Sequence, residues 1–247
     1  MEINMKDILQ DIVAHTHSLG FLPTVKVTGE TDATTIESMA EDRSVIVNAK
    51  THKSVGEFSG VFGMPNLDKL ALHLKNPEYK ENAKINVVKS QRNGAEIPTS
   101  LHFENAAGDF VNDYRFMSTE VINEKLKSVK YKGSGWEVEF EPAVAAIGRL
   151  KLQAAAHSEE SVFQVKTEDD NLVFFFGDAS THAGSFVFQH NVGGKLKHTW
   201  SWPINQVISI LGLDGKTTMR ISDQGAMQIT VDSGITEYNY ILPAQSK

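Results

Sequence analysis

The sequence predicts an α+β protein of two similar halves, each with two helices packed on antiparallel sheet. Three observations predict it. Apolar residues recur at helical spacing in four short stretches and at period two in many more. Both halves carry these stretches in one order: helix, strands, helix, strands. Landmarks in the two halves also repeat at a fixed distance. Phe58 and Leu196, Phe62 and Trp200, Met64 and Trp202, and Pro65 and Pro203 all lie 138 residues apart. The first helices of the halves, opening near Asn4 and Pro142, differ by the same amount.

The first half opens with a helix over 4–18, where Met5, Ile8, Leu9, Ile12 and Val13 form one apolar stripe. Gly20 and Pro23 end it. Strand-like runs follow at 24–29, 34–41 and 44–50. In "GEFSGVFGM", Phe58, Phe62 and Met64 share one side with period two. Pro65 then stands where proline opens a helix, whose buried face is Leu67, Leu70, Ala71 and Leu74. Strands resume at 83–89, 99–105 and 113–119. The second half begins with a helix over 142–156, with Ala143, Ile147, Leu150 and Ala154 on its stripe. Strands follow at 161–167, 171–178 and 184–190. Leu196, Trp200 and Trp202 share a side in the next run. Pro203 opens a helix with Ile204, Val207, Ile208 and Leu211 inward. Strands at 216–222, 225–232 and 236–244 close the chain. Between the halves, 120–136 carries Lys125, Lys127, Lys130 and Lys132 with a Gly-Ser-Gly run, which reads as an exposed connector.

The bulk composition narrows the function classes. Of 247 residues, 40% are hydrophobic and 22% charged, a globular balance with material for one or two cores. The chain has no cysteine, which removes disulfides, thiolate metal sites and cysteine nucleophiles and fits a reducing compartment. The first residues lack a basic region followed by an apolar run, so no signal peptide is expected. No apolar stretch is long enough to span a bilayer. A soluble, cytoplasmic protein is the expectation. The net charge of −7 argues against a nucleic-acid-coated surface but leaves room for a small basic face.

Enzyme motifs are missing. Gly193-Gly194-Lys195 lacks the spacing of a phosphate loop and reads as a hairpin turn. Ser134 sits between glycines without a nucleophile elbow around it. The carboxylates of "TEDDN" (167–171) read as a solvated turn. His15 and His17 are two apart on a helix and point to different faces, so they cannot chelate a metal together. His182, His190 and His198 have no metal spacing either, and surface or channel-facing positions are expected for the histidines. Neither a cofactor nor a metal is expected. The basic residues around the four helices are Lys6, Lys69, Lys75, Lys80, Arg149 and Lys151. Several on one surface could touch a phosphate backbone without reading bases.

Three stretches carry a resemblance to a known family. They are "GEFSGVFGMPNLDKLALHLKNPEYKENAKINV" (56–87), "ESMAEDRSVIVNAKT" (37–51) and "GAMQITVDSGITEYNYILPA" (225–244). In order, with the lysine-bearing connector between the halves, they resemble the DNA sliding clamps of T4-type bacteriophages and, further off, the proliferating-cell nuclear antigen. The resemblance implies duplicated DNA-clamp domains over 1–122 and 136–247, joined by a connector at 123–135. In such a ring two helices per domain form the inner wall and the sheets the outside. Six domains close the ring, so two per chain imply a homotrimer. Strands of neighbouring subunits would pair at each joint, with "GSFVFQH" and "DFVNDYRFM" as the expected edges.

The function implied is a non-enzymatic processivity factor. The ring encircles duplex DNA without reading sequence and tethers the replicative DNA polymerase. An ATP-dependent clamp loader opens it, and a role in late viral transcription is also implied. The location would be the cytoplasm of the host cell. The inner-wall residues implied are Lys6, Lys69, Lys75, Arg149 and Lys151. A partner-peptide pocket is implied at Met39, Val45, Val47, Leu126, Tyr131, Leu242 and Pro243. Two other readings compete. A β-rich phage structural or carbohydrate-binding protein would not need two helix pairs at a fixed offset. A hydrolase would need a convergent polar site.

Overall fold

The computed structural model describes residues 4–92, 94–129, 131, 133, 135–178, 180 and 182–245, and at Arg92 and Ala95 the backbone alone. The chain forms two compact units. The first comprises Met1–Val129 with Ser233–Tyr238, the second Lys130–Asp232 with Asn239–Lys247.

The first unit opens with α1 (Met5–His15), capped by the Asn4 side chain, which accepts from the Asp7 amide. Four strands follow: β1 (Val25–Gly29), β2 (Thr34–Met39), β3 (Ile46–Thr51) and β4 (Gly60–Met64). Helix α2 (Leu67–Lys75) comes next. The strands β5 (Lys84–Arg92), β6 (Ala95–Glu104) and β7 (Val111–Arg115) and a short helix α3 (Thr119–Lys125) complete the unit. Strands β4, β1, β2 and β3 lie side by side in that order as antiparallel neighbours, part of a larger sheet, and β5-β6-β7 form a separate one. Helix α1 packs on α2. Ile8, Leu9, Ile12 and Val13 from one, and Leu67, Leu70, Ala71 and Leu74 from the other, are all buried, as the periodicity predicts. Each such leucine contributes about 1.5–3 kcal/mol by leaving water.

The second unit repeats the plan. After β8 (Val138–Phe140) come α4 (Val144–Ala156), β9 (Val162–Glu168), β10 (Asn171–Phe176), β11 (Gly184–Gln189) and β12 (Trp200–Pro203). Then follow α5 (Ile204–Leu211), β13 (Lys216–Ser222), β14 (Ala226–Asp232) and β15 (Thr236–Pro243), whose first three residues belong to the first unit. Its four-stranded sheet runs β12-β9-β10-β11, the order of β4-β1-β2-β3 over again. Strands β3 and β11 begin at Ile46 and Gly184 and end at Thr51 and Gln189, both pairs 138 apart. Helix α4 packs on α5. The core is aromatic: Phe174 stacks on Phe188 at 4.3 Å and lies 4.6 Å from Phe163. Buried Trp202 donates its indole N–H to the Leu242 carbonyl at 3.0 Å, which satisfies its one polar atom.

Some expectations fail, each for a local reason. Ala143 is not inward; it is the exposed N-cap residue of α4, and Ala146 and Leu150 fill the stripe. In α5, Ile208, expected inward, is half-buried, and Ile210 is buried. The connector is not exposed throughout. Its start is α3, with Ile122 buried beside Gly63, and Leu126 is buried just after it. Gly193-Gly194 is not a hairpin turn, because β11 and β12 lie at opposite edges of their sheet. Gly194 instead allows close approach: a Cβ there would lie 1.7 Å from the Glu137 carbonyl oxygen. Lys130, Lys132 and Ser134 lie outside the described residues.

Candidate functional site

Each unit presents one helix pair whose outer faces bear the candidate cations. On α2, Lys69 and Lys75 are exposed, with exposed Leu72 between them. Lys6 on α1 is different. Its Nζ donates to the Tyr79 carbonyl at 2.7 Å and the Lys80 carbonyl at 3.5 Å, so the half-buried side chain is tied to the turn after α2. The same two helices expose Asp7 and Asp68. In the second unit, Arg149 and Lys151 are exposed on α4, a helix with no acidic residue, and α5 carries no charge at all. The Arg149 guanidinium sits 5.9 Å from the Phe186 ring centroid on β11, a cation–π contact that restrains it. The charged side chains of the second unit's helix pair are therefore purely cationic, and those of the first unit's pair are mixed.

The outer face of the first unit carries the other candidates. Met39 pairs with Ile46 in the β2–β3 register, and both are half-exposed. Val45 and Val47 are fully buried, because strand alternation turns them to the helix side. Ile46, not either valine, has surface to offer. Residues 126–129 cross this face as a strap. Lys26, Glu37 and Asn48 are cross-strand neighbours in one row of β1, β2 and β3. Ser128 Oγ accepts from Lys26 Nζ at 3.1 Å and donates to Glu37 Oε2 at 2.9 Å. Lys26 and Glu37 pair at 3.2 Å, and Asn48 Nδ2 donates to the Val129 carbonyl at 3.3 Å. In the second unit, Tyr131 is half-buried against Trp136 at 4.8 Å, Leu242 is buried and Pro243 exposed.

A buried polar cluster in the first unit was not anticipated. Asp11 Oδ2 accepts from the Tyr238 hydroxyl at 2.8 Å, and its Oδ1 lies 3.2 Å from His15 Nδ1. The His15 ring stacks on Tyr238 at 4.5 Å. Burial alone would raise the Asp11 carboxyl. Hydrogen bonds from His15, Ser233 and Tyr238, with the His15 charge, outweigh it and hold the group below the usual carboxylate range. His15 is thus a core residue, not a surface one. The i,i+4 spacing of Asp11 and His15 was the available signal; Tyr238, more than two hundred residues away, was not.

The other polar clusters have structural partners. Among the described residues no group of three His, Asp or Glu could hold a metal ion. His198 and Asp223 pair at 3.1 Å, but Asp223 also accepts the Lys197 and His198 amides and serves as a loop staple. The Tyr114 phenol, pushed up by burial and by nearby Asp68, donates to the Pro65 carbonyl at the entry to α2. Asp169 and Asp170 form the tight turn between β9 and β10 and line an open cavity of ≈ 710 Å³ with Glu168 and Lys195. No described helix is long and apolar enough to cross a membrane.

The element order, the repeated four-strand order and the paired helices define an α+β fold of two helix-backed antiparallel units. That fold is PCNA-like. A. fulgidus PCNA, solved with the C-terminal region of FEN-1 bound, aligns with a TM-score of 0.66 and 10% identity over 98% of this chain and 95% of its own. PCNA from Thermococcus kodakaraensis tk0582 aligns with a TM-score of 0.67 and 11% identity over 98% of both chains. No protein-family model and no curated protein sequence matches the chain.

Proposed function

We propose that the protein is a DNA sliding clamp, a non-enzymatic processivity factor that encircles duplex DNA and tethers a replicative polymerase. The observation that carries this reading is the PCNA-like fold over 98% of the chain. Exposed cations on a helix pair in each unit support it. In this reading the clamp domains are 1–122 and 136–247, with the connector at 123–135. Three copies close a ring, an ATP-dependent loader opens it, and the setting is T4-type phage replication with a part in late transcription. Tethering makes polymerase re-binding intramolecular, at high effective concentration, with no new contact to DNA sequence. Lys69, Lys75, Arg149 and Lys151 face the duplex, and Lys6 stands beside them on its turn. Partner peptides meet Met39, Tyr131 and Pro243 of the expected set, with Ile46 added, whereas Val45, Val47, Leu126 and Leu242 are buried.

The test has two stages. Light scattering on a sizing column should give about three times the 27.3 kDa chain mass at high concentration. Protein assembled on nicked circular DNA should then co-elute with it and be released when the circle is cut. A monomer at every concentration, or retention that is indifferent to cutting, would remove the ring from the reading.

A further inference from the structure

We propose that residues 127–129 are a releasable strap, latched by the row Lys26–Glu37–Asn48 and pivoting at Leu126. Four observations carry it. Lys26 is only 9% exposed although it lies on the outward face of its strand, so a cover is in place over the row. The cover is Ser128, whose hydroxyl bridges both members of the ion pair as acceptor and donor. One step along, Asn48 takes the Val129 carbonyl, so the strap runs across the strands in register with the row. Leu126, by contrast, is buried, while Lys127, Ser128 and Val129 are exposed.

The chemistry of the latch makes it near-balanced. An ion pair on an open sheet face is solvated at little cost. Covering it removes water from both charges, and the Ser128 hydroxyl and the mutual attraction only roughly offset that loss. Lifting the strap re-hydrates Lys26 and Glu37 together, so the open state leaves no buried charge unpaired. An apolar anchor has no such return, which is why Leu126 stays and the polar stretch beyond it releases. The strap flanks the Met39–Ile46 row of the same face, so its position sets how much of that row is reachable. The latch follows from the first unit alone and stands whether or not the chain forms a ring.

Limited trypsin digestion of the full chain, with mass-spectrometric timing of the Lys127–Ser128 bond, tests the latch. Glu37→Ala and Asn48→Ala lie away from the scissile bond and should each speed its cleavage about tenfold, the loss expected from one net hydrogen bond. Glu37→Gln, which keeps an acceptor for Ser128, should fall between. Lys50→Ala, one row along the same face, should cleave at the wild-type rate, and thermal unfolding should be unchanged in all four. Wild-type cleavage in Glu37→Ala and Asn48→Ala would overturn the proposal. Acceleration shared equally by bonds across the whole chain would overturn it too, since that reports global unfolding.

Discussion

Gly63 and Gly148 show how one substitution can take opposite signs. At Gly63 in β4, an added Cβ would lie 2.8 Å from Ile122 Cδ1, the side chain by which α3 closes over its neighbour. Gly63→Ala should destabilise the protein by about 1–3 kcal/mol through overpacking. Gly148 in α4 has open space where its Cβ would be. Gly148→Ala should stabilise by about 0.5–1 kcal/mol, because alanine has less backbone freedom to lose in a helix. Thermal melts of the two variants should move in opposite directions. Asp11 gives the pH dependence. Its carboxyl titrates lower in the folded chain than in the unfolded one. The unfolded state therefore takes up its proton first as pH falls. The stabilisation is complete above the unfolded carboxylate range, near pH 4, and is lost as pH drops through the folded value. Asp11→Asn should be less stable than wild type at pH 7 in urea titrations. The gap should narrow below about pH 4, where the wild type loses its own contribution. A gap that stayed constant down to pH 2 would mean the charge on Asp11 contributes nothing.

Helices differ in what they can offer a phosphate backbone. On α4, Arg149 and Lys151 stand on a helix without acids, whereas Lys69 on α2 follows Asp68 directly and Lys6 is bound to carbonyls. Each phosphate a cation neutralises adds about −0.9 to the slope of log affinity against log salt. Arg149→Ala with Lys151→Ala should flatten that slope more than Lys69→Ala with Lys75→Ala, and Lys6→Ala should reduce stability more than binding. Salt titrations of DNA retention would rank the three, and an equal effect from both pairs would deny α4 the larger part. The helices and strands were legible because their stripes are long: α1 shows Ile8, Leu9, Ile12 and Val13, and α2 shows Leu67, Leu70, Ala71 and Leu74. The misread elements lack that contrast. The run Val45-Ile46-Val47 is apolar at every position, so its alternation has no sequence signature and only pairing with Met39 fixes the face. The α5 stretch INQVISIL is apolar nearly all round, which leaves Ile208 and Ile210 undistinguished. Helix α3 has seven residues, four of them polar or charged on its solvent side, and forms because Ile122 fills the space over Gly63. The strap was legible as a connector. Its latch was not, because Lys26, Glu37, Asn48 and Ser128 come together only through strand register and a crossing about ninety residues later.

Edges decide how copies of the chain can join. Strand β7 ends the sheet β5-β6-β7, and β11 ends the sheet β12-β9-β10-β11. An uncovered edge offers a row of backbone donors and acceptors to another strand. Beside β7 the surface is apolar as well: Phe110 is 40% and Val111 53% exposed. An edge of this kind meeting a different edge on the next copy is a head-to-tail contact, which closes into a ring when the rotation fits and otherwise grows a filament. The joint expected from these strands is β7 of one copy against β11 of the next. Val111→Asp places a charge on that edge without touching the core, so the chain should fold normally. If three copies form the proposed ring, this variant should elute at the mass of one chain where the wild type elutes at about three times that mass. Leu72→Asp, at a still more exposed apolar site on α2, should leave the wild-type mass intact, since the expected joint does not involve the helix pair. Light scattering on both variants, with circular dichroism to establish folding, separates the possibilities. If Val111→Asp retains the wild-type mass, the copies join elsewhere, and β7 is an edge that the protein leaves open.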